Sequence, residues 1–419
     1  MKTISVVGLG YIGLPTAAVF ADHQANVIGV DINQAAVDTI NQGEIHIVEP
    51  GLEQVVKKAV GAGRLRAVTR PEPADAFLIA VPTPFTNDRQ PDLRHIEAAS
   101  KAIAPVLKSG DIVILESTSP VGATERMAGW LAESRPDLSF ARRGMADGEK
   151  TDVHIAHCPE RVLPGHVLRE LVENDRVIGG MTPACSQKAA EVYNIFLKGG
   201  AVITDVRTAE MCKLTENAFR DVNIAFANEL SIICEKQGIN VWELIGLANR
   251  HPRVNILKPG CGVGGHCIAV DPWFIVSSHP QEAQLIRTAR ETNDNKPKWV
   301  LSRMREAVAA TGKAADDVAV AVLGLAFKPD IDDLRESPAL AIAAEIGAVH
   351  TGEILVVEPY IERLPPQIKR GTKTGTAEAV ARADIVLILV AHSEFSAVSG
   401  LLRPGQAVID AAGVVSRGA

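Results

Sequence analysis

The chain is short of aromatic residues, carries no net positive charge, pairs none of its cysteines at metal-binding spacing and contains no apolar run long enough to span a bilayer. Aromatics make up 4 % of its 419 residues, while Ala, Val, Ile and Gly are abundant within a hydrophobic share of 47 %. That composition suits buried parallel strands and close-packed helices. A net charge of −7 argues against a general nucleic-acid binder. It leaves local phosphate binding open, because backbone amides and a few Lys or Arg side chains hold phosphate well. The six cysteines (Cys158, Cys185, Cys212, Cys234, Cys261, Cys267) are scattered. With no C-x-x-C pair among them, neither a disulfide framework nor a zinc site is expected, and no metal is assigned. Lys2, an apolar run to Phe20 and then Ala21 mimic a signal peptide. Pro15 and the glycine spacing instead fit a strand, a turn and a helix, and no other run is long enough for a membrane span. A cytoplasmic, reduced protein with no membrane partner is expected. The length exceeds one hydrophobic core, so two or three domains are expected.

What is present begins with nucleotide chemistry. Ile4 to Val7 reads as a buried strand, Leu14 to Asp22 as a helix, and Asn26 to Val30 as a second strand ending at Asp31. Between the first strand and the helix stands Gly8-Leu9-Gly10-Tyr11-Ile12-Gly13, a G-x-G-x-x-G turn with an acid about 20 residues further on. Gly8 makes the tight turn, Gly10 lets the backbone approach a pyrophosphate, and Gly13 lets the helix pack on the strand. The helix N-terminus around Tyr11 and Ile12 supplies amides and a partial positive charge. Asp31 is placed to accept adenosine ribose hydroxyls and to repel a 2′-phosphate, and Ile32-Asn33 offers no cation in exchange, so the cofactor expected is NAD.

The alternation continues. Ala76 to Val81 is a strand broken by Pro82-Thr83-Pro84, Leu93 to Leu107 is helical, and Asp111 to Glu116 is a strand followed by Ser117-Thr118-Ser119-Pro120-Val121-Gly122 and a helix from Ala123. Thr83 and Thr118 therefore fall at carboxyl ends of strands, where open α/β sheets bind ligands. Thr118 reads equally as a helix-start residue. The polar stretch from Arg142 to Asp152 is expected to be a mobile loop. In His157-Cys158-Pro159-Glu160-Arg161, after a short apolar strand, Glu160 is either a surface acid or a group that positions water. A first domain over 1–198 follows.

Arg207 to Gly238 contains a long helix whose apolar residues recur at three- and four-residue spacing, with Gly238 as its stop. Thirty residues span roughly 45 Å, enough to link two domains and to offer a dimer face. Lys213, Asn217 and Arg220 share a polar stripe, which is either a solvated face or a set that holds substrate and stabilises an oxyanion. Trp242 to Ala248 is again helical, and Arg250 and Arg253 are either surface cations or partners for a diphosphate. Gly260-Cys261-Gly262-Val263-Gly264-Gly265-His266-Cys267-Ile268-Ala269-Val270-Asp271 then presents a thiol on a glycine loop with a carboxylate four residues on. The plain reading is a tight turn before a buried structural cysteine; the chemical one is a nucleophile with a proton-handling acid. This middle segment is placed at 199–312. Over 313–419 the strand and helix plan of the first domain repeats without its G-x-G-x-x-G. Strands are expected at Val318 to Leu323, Glu353 to Val357, Asp384 to Val390 and Ala407 to Asp410, with a helix opening at Ser337-Pro338. Lys328, Asp332, Asp333 and Arg335 stand in its first crossover. The fold class is therefore α/β, two Rossmann-like doubly wound parallel-sheet domains joined by a long central helix.

Taken together, Gly8 to Pro15, Glu116-Ser117-Thr118-Ser119-Pro120-Val121-Gly122, Lys213-Leu214-Thr215-Glu216-Asn217, Gly264-Gly265-His266-Cys267 with Asp271, and Gly324-Leu325-Ala326-Phe327-Lys328 resemble the UDP-sugar 6-dehydrogenases, members of the UDP-glucose/GDP-mannose dehydrogenase family. The resemblance covers essentially the whole chain. It implies a double oxidation in which the sugar 6-hydroxyl becomes an aldehyde, then a thioester on Cys267, then a carboxylate. Lys213 and Asn217 match the family's sugar-binding, oxyanion-stabilising pair, Asp271 the acid that assists base chemistry and hydrolysis, and Thr118 and Glu160 the residues that organise water. NAD is expected on Gly8, Gly10, Tyr11, Ile12, Gly13, Asp31, Thr83 and Thr118. Substrate is expected on Glu160, Arg161, Val162, Lys213, Asn217, Arg220, Arg250, Arg253, Gly260, Gly264, Phe327, Lys328 and Arg335. Arg253 resembles an arginine that reaches the substrate of a partner subunit, which implies a homodimer through the central helix.

Two departures from the UDP-glucose enzymes point within the family. Val270 stands where they have Lys, and Pro159-Glu160-Arg161-Val162-Leu163-Pro164-Gly165 lacks the second acid of their turn. Gly264-Gly265-His266-Cys267 with Val270-Asp271-Pro272 resembles the N-acetylhexosamine branch instead, so a UDP-N-acetylhexosamine is the expected substrate, and within that branch Pro159 to Gly165, Arg207 to Lys213 and Asn249 to Asn255 resemble the members acting on the manno epimer. Its manno epimer comes first and its gluco epimer is the nearest rival, and the branch serves surface polysaccharides such as enterobacterial common antigen. A two-electron 3-hydroxyacid dehydrogenase shares the N-terminal plan but needs no Cys267. A non-catalytic NAD or UDP-sugar sensor predicts binding without turnover.

Overall fold

The computed structural model describes residues 2–415 apart from Asn87, Asp147, Gly148, Pro164 and His266. Three of the motifs above thus have members outside the described residues: His266 in the cysteine loop, Pro164 in the Glu160 turn, and Asp147 and Gly148 in the polar stretch. The chain divides into two compact units, residues 1–216 and 217–419.

The first unit is built on β1 (Thr3–Val7), α1 (Gly13–Asp22), β2 (Asn26–Val30), α2 (Gln34–Asn41), α3 (Leu52–Gly61), β3 (Leu65–Val68), β4 (Ala76–Ile79), α4 (Arg94–Ile103), β5 (Ile112–Leu115), α5 (Ala123–Ser134), β6 (His154–His157), α6 (Val167–Glu173), β7 (Arg176–Gly180), α7 (Pro183–Tyr193) and β8 (Ala201–Asp205). The strands form an eight-stranded sheet in the order β3-β2-β1-β4-β5-β6-β7-β8. The strand order reverses beside β1, which opens a crevice between the carboxyl ends of β1 and β4. Side chains alternate across the sheet. Ile4, Val6, Ala76 and Leu78 enter the core on one face, and Val7, Phe77 and Ile79 the core on the other. Each large apolar side chain buried this way contributes about 1.5–3 kcal/mol. All described pairings in this sheet are parallel except β6 with β7, which is antiparallel with Ala156 opposite Gly180 and His157 opposite Gly179. The inversion has a consequence for the site: it brings the start of β7, at Arg176, to the carboxyl edge of β6.

From β8 the chain enters α8 (Val206–Gln237), 32 residues long, or roughly 48 Å at the α-helical rise. Gly238 ends it in the left-handed region, at φ +68°. The second unit continues through α9 (Val241–Ala248), α10 (Asp271–Ser278), α11 (Gln284–Ala310), β9 (Val320–Leu323), α12 (Pro338–Val349), β10 (Ile354–Val357), β11 (Thr372–Lys373), α13 (Thr376–Arg382), β12 (Ile385–Ile388) and β13 (Ala407–Asp410). Its five-stranded sheet has the order β11-β10-β9-β12-β13, all parallel. This repeats the plan around β1: a central first strand flanked by the second and fourth. Ser337 caps α12 through its hydroxyl, which accepts from the Leu340 amide, with Pro338 in the first turn. β2 and β13 have the expected bounds, β4 and β12 stop at Ile79 and Ile388, short of Val81 and Val390, and β9 and β10 begin later than expected, at Val320 and Ile354.

Candidate active site

The parallel strands of the first unit present Asp31, the Gly8 turn, Thr83, Thr118 and Glu160 at the carboxyl ends of β2, β1, β4, β5 and β6, which are consecutive in the sheet. Gly8 has φ +92°, and a Cβ there would lie 2.6 Å from the Ala80 carbonyl oxygen. A Cβ on Gly13 would lie 1.7 Å from the Gly8 carbonyl oxygen, so the helix seats on the turn only without a side chain. Around Gly10 a Cβ would meet nothing within 4 Å, and this open space is what a pyrophosphate resting on the backbone requires. Asp31 accepts from the Leu9 amide with Oδ2 and from the Asn33 amide with Oδ1, both at 2.9 Å, and stays half-buried, so its remaining lone pairs face outward to hydroxyl donors. Thr83 Oγ1 is buried with no protein partner. Open backbone, a held carboxylate and an orphaned hydroxyl fit a bound dinucleotide. Tyr11 is 44 % exposed and Ile12 caps α1 through the backbone alone.

Behind this edge lie acids that sequence spacing did not reveal. Glu210, on α8 and 1 % exposed, accepts from the Gly122 amide at 2.7 Å and from the Thr124 amide and hydroxyl at 2.8 and 2.6 Å. It caps α5 and so fixes the turn that carries Thr118. Glu49 does the same for the Glu160 turn, accepting from the Gly165 and Val167 amides at 2.9 Å. Glu160 itself is buried, and its Oε2 accepts from the Val162 amide at 2.6 Å. It is therefore no surface acid. Beside it Glu116 Oε1 accepts from Tyr193 at 2.9 Å and from Arg176 at 3.3 Å, and the Arg176 guanidinium stacks 4.5 Å from the Tyr193 ring. Burial pushes the Glu116 carboxyl up against the pull of that guanidinium. Arg161 is tied to Glu216 at 2.6 Å and to the Asp175 carbonyl at 3.2 Å.

The second unit holds the thiol. Cys267 is exposed, and its carbonyl accepts from the Val270 and Asp271 amides at 3.0 and 2.9 Å, so it stands one turn before the positive end of α10. Asp271, 3 % exposed, accepts from Asn217 Nδ2 at 2.5 Å. That bond uses one amide proton of Asn217 and leaves its second for another acceptor. Lys213 lies one turn earlier on α8 and is half-buried. The stripe of Lys213, Asn217 and Arg220 is thus not one solvated face: Asn217 is buried, Lys213 half-buried and Arg220 exposed. Cys261 has a different environment. It sits in the core under the second sheet, and burial pushes its thiol up to about 12.

The glycine loop meets the nucleotide-type turn of its own unit. A Cβ on Gly264 would lie 2.4 Å from the Glu336 carbonyl oxygen and 3.0 Å from Phe327 Cβ, and Gly265, at φ +81°, rests on the Phe327 ring. Gly264 and Phe327 are therefore brought together, with half-buried Lys328 beside them. Gly260 donates its amide to Asn228 at 2.8 Å. Arg335 is exposed and held by Asp333 at 2.6 Å. Arg250 and Arg253 are exposed on the segment after α9.

A dinucleotide crevice in one sheet, a second nucleotide-type sheet and an exposed loop thiol define an NAD-dependent dehydrogenase acting on a nucleotide-linked substrate. The chain belongs to the UDP-glucose/GDP-mannose dehydrogenase family: residues 2–197 match its NAD binding domain, 207–295 its central domain and 321–417 its UDP binding domain. It is 65 % identical to the UDP-N-acetyl-D-mannosamine dehydrogenase of Escherichia coli (strain K12) over 417 residues, 98 % of this chain and 99 % of the relative. It is 62 % identical to the NDP-N-acetyl-D-galactosaminuronic acid dehydrogenase of Ralstonia solanacearum over 415 residues, 99 % of this chain and 96 % of that one. The solved structure of the UDP-D-ManNAc dehydrogenase of Pyrococcus horikoshii superposes with a TM-score of 0.88 at 38 % identity, covering 99 % of this chain and 96 % of that one. Among the described residues no helix is long and apolar enough to cross a membrane.

Proposed function

We propose that this protein oxidises the C6 hydroxyl of UDP-N-acetyl-D-mannosamine to the carboxylate, a four-electron reaction with Cys267 as nucleophile. The observation that carries the reading is the exposed Cys267 on a glycine loop, one turn before a helix N-terminus and four residues before an acid anchored by Asn217. NAD, held by the Gly8–Gly13 turn and Asp31, supplies the hydride acceptor for both oxidations. The hydroxyl gives up its proton and C6 gives up a hydride, leaving an aldehyde. The Cys267 thiolate adds to the aldehyde carbon, forming a C–S bond and an oxyanion that Lys213 and the free proton of Asn217 stabilise. Loss of a second hydride leaves a thioester. Water placed by Thr118 and Glu160, with Asp271 assisting proton removal, cleaves the C–S bond and returns the thiol. The positive end of α10 favours the anionic form of a group in the loop before it.

The work divides over three segments: 1–198 for NAD, 199–312 for the catalytic loop and dimerisation, and 313–419 for the UDP-sugar, with Phe327, Lys328 and Arg335 toward the nucleotide and Arg161, Val162, Arg220, Arg250, Gly260 and Gly264 toward the sugar and diphosphate. Supporting a homodimer through α8 are Phe219, Phe226 and Ile233, 66, 50 and 47 % exposed at seven-residue steps along one face. In such a dimer Arg253 serves the partner's substrate. The protein works in the cytoplasm, and its product feeds a surface polysaccharide such as enterobacterial common antigen. The relative named for N-acetyl-D-galactosaminuronic acid makes the galacto epimer the second sugar to test. The deciding experiment supplies NAD with the UDP-linked manno, gluco and galacto N-acetylhexosamines and with UDP-glucose, and counts NADH per sugar consumed. About two NADH per sugar, a uronic acid product and preference for the manno epimer are expected. One NADH and a carbonyl product would remove the thioester step, and binding without turnover would make the protein a sensor.

A further inference from the structure

Glycines occupy four of the six positions from Gly260 to Gly265, so the segment that carries the thiol has few side chains with which to fix its own backbone. A buried polar network in the same unit meets this segment on both sides of Cys267. On α8, Asn223 donates to the Asn255 carbonyl and accepts from the Leu257 amide, both at 2.9 Å. Asn228 accepts from the Gly260 amide at 2.8 Å. Beyond the thiol, Arg290 of α11 donates to the Ile268 carbonyl at 3.4 Å. The Asn228 and Arg290 anchors are joined to one another. Asn228 Nδ2 donates to Asn293 Oδ1 at 2.8 Å, Asn293 Nδ2 donates to the Asp221 carboxylate at 2.8 Å and to its carbonyl at 3.0 Å, and Asp221 pairs with Arg290 at 2.5 Å. Asp221, Asn228 and Arg290 are 0 % exposed and Asn293 is 1 % exposed.

An ion pair and two amides in a helix-packed interior are poorly explained by stability, since apolar side chains of similar volume fill such a space as well or better. What apolar side chains lack is a directional bond to a backbone amide or carbonyl. Each end of this network makes one, at the first of the glycines and just after Cys267. We propose that Asn228 and Arg290, coupled through Asn293 and Asp221, are positioning residues that set where the Cys267 thiol stands; the proposal rests on the reading of Cys267 as nucleophile. A displacement of about 1 Å at a reacting atom lowers turnover by on the order of a hundredfold without weakening ground-state binding.

The test uses the full-length protein with NAD and the preferred UDP-sugar, and compares Asn228→Ala, Asn228→Asp and Cys267→Ser from pH 6 to 9, below the melting temperature of each variant. Asn228→Ala is expected to lower kcat about 10- to 100-fold, with KM for NAD and for sugar within about threefold of the unmodified protein. Asn228→Asp keeps an acceptor for the Gly260 amide at every pH, but has a donor for Asn293 only when protonated. Its kcat relative to the unmodified protein is therefore expected to recover as pH falls, while the ratio for Asn228→Ala stays flat, because the other titrating groups of this interior, Asp221 raised by burial to about 6 and Lys296 lowered by burial to about 8, are present in all three proteins. A purely structural role predicts no such recovery. Should Asn228→Ala fail to fold, Arg290→Lys, which keeps the charge but loses the planar fork whose Nη1 reaches Asp221 and Ile268 while Nε and Nη2 hold Asp294, is expected to show the same fall in kcat at unchanged KM. Wild-type kcat in Asn228→Ala, or a flat pH ratio in Asn228→Asp, overturns the proposal. If Cys267→Ser still yields two NADH per sugar, the nucleophile reading fails instead, and the two failures are distinct.

Discussion

Iodoacetamide should separate the two cysteines of the glycine loop. Cys261 is 6 % exposed, packed under the second sheet among Val300, Leu301 and Val320, and burial pushes its thiol up to about 12. At pH 8 about one Cys261 in ten thousand is then thiolate, against roughly a quarter of an unperturbed thiol with pKa about 8.5. Ionisation alone slows its alkylation by on the order of a thousandfold, before access is considered. Cys267 is exposed, so access does not limit its reaction. The expected course is one equivalent of label entering first at Cys267, read by mass spectrometry of peptides after timed quenching, with UDP-sugar oxidation lost in step. Cys212, half-buried on α8 beside Glu216, has a thiol raised by burial and by that carboxylate, and should follow later. Cys261→Ser should remain active, whereas Cys267→Ser should bind NAD and UDP-sugar and form no acid. Labelling of Cys261 in the folded protein at a rate near that of Cys267, or loss of acid formation in Cys261→Ser alone, would refute the reasoning.

His157, 0 % exposed with neither ring nitrogen partnered, is held neutral by burial, its pKa lowered to about 3. A depressed folded-state pKa contributes stability that is present above the unfolded value near 6.5 and lost as pH falls toward 3; at pH 5 the loss is about 2 kcal/mol. Thermal melts at pH 7.5 and 5 should therefore show a drop roughly 4–8 °C larger in the unmodified protein than in His157→Phe, and equal drops would contradict it. At the dinucleotide turn, Gly10→Ala meets no atom of the protein. It should leave the melting temperature within about 1 °C while weakening NAD at least tenfold by titration, and unchanged NAD affinity would argue that no pyrophosphate rests there.

The sequence displays what is periodic or local. Both sheets, the Gly8–Gly13 turn, Asp31, α8 and its Gly238 stop are visible because each is written in contiguous spacing. Hidden are the elements that long-range pairing decides. α11 runs through Pro297, a residue that reads as a break, because its packing outweighs the missing amide. β7 turns antiparallel to β6, which no local pattern announces, and that inversion delivers Arg176 to Glu116. Glu210 caps a helix 86 residues away from it in sequence, and Glu49 one 118 residues away. Such acids look like surface charges until the turn they hold is folded beside them. The site motifs were legible as residue types, whereas the buried groups that hold those motifs in place were not.

The two sheets also differ at one equivalent position, and the difference bears on why one of them takes a dinucleotide. Gly8 and Gly324 follow the first strand of each sheet at φ +92° and +93°, and each donates its amide to the last residue of the second strand at 2.8 Å. The next residue on that second strand is an acid in both: Asp31 and Glu358. Asp31 is half-buried and spends one lone pair of each oxygen on an amide, leaving acceptors for a ribose. Glu358 is 1 % exposed; its Oε2 accepts from the Leu325 and Ala326 amides at 2.7 and 3.0 Å and from His392 at 3.1 Å, and its Oε1 from the Tyr360 amide at 3.2 Å. The His392 ring is oriented for that bond because its other nitrogen accepts the Asp330 amide at 3.0 Å. Burial alone would raise the Glu358 carboxyl, but these donors hold it below its usual range. A carboxylate so fully enclosed has nothing left for an adenosine ribose. One backbone plan thus yields a dinucleotide site where the acid faces outward, and where the acid is walled in it yields a rigid turn whose Phe327 covers the glycines leading to the thiol.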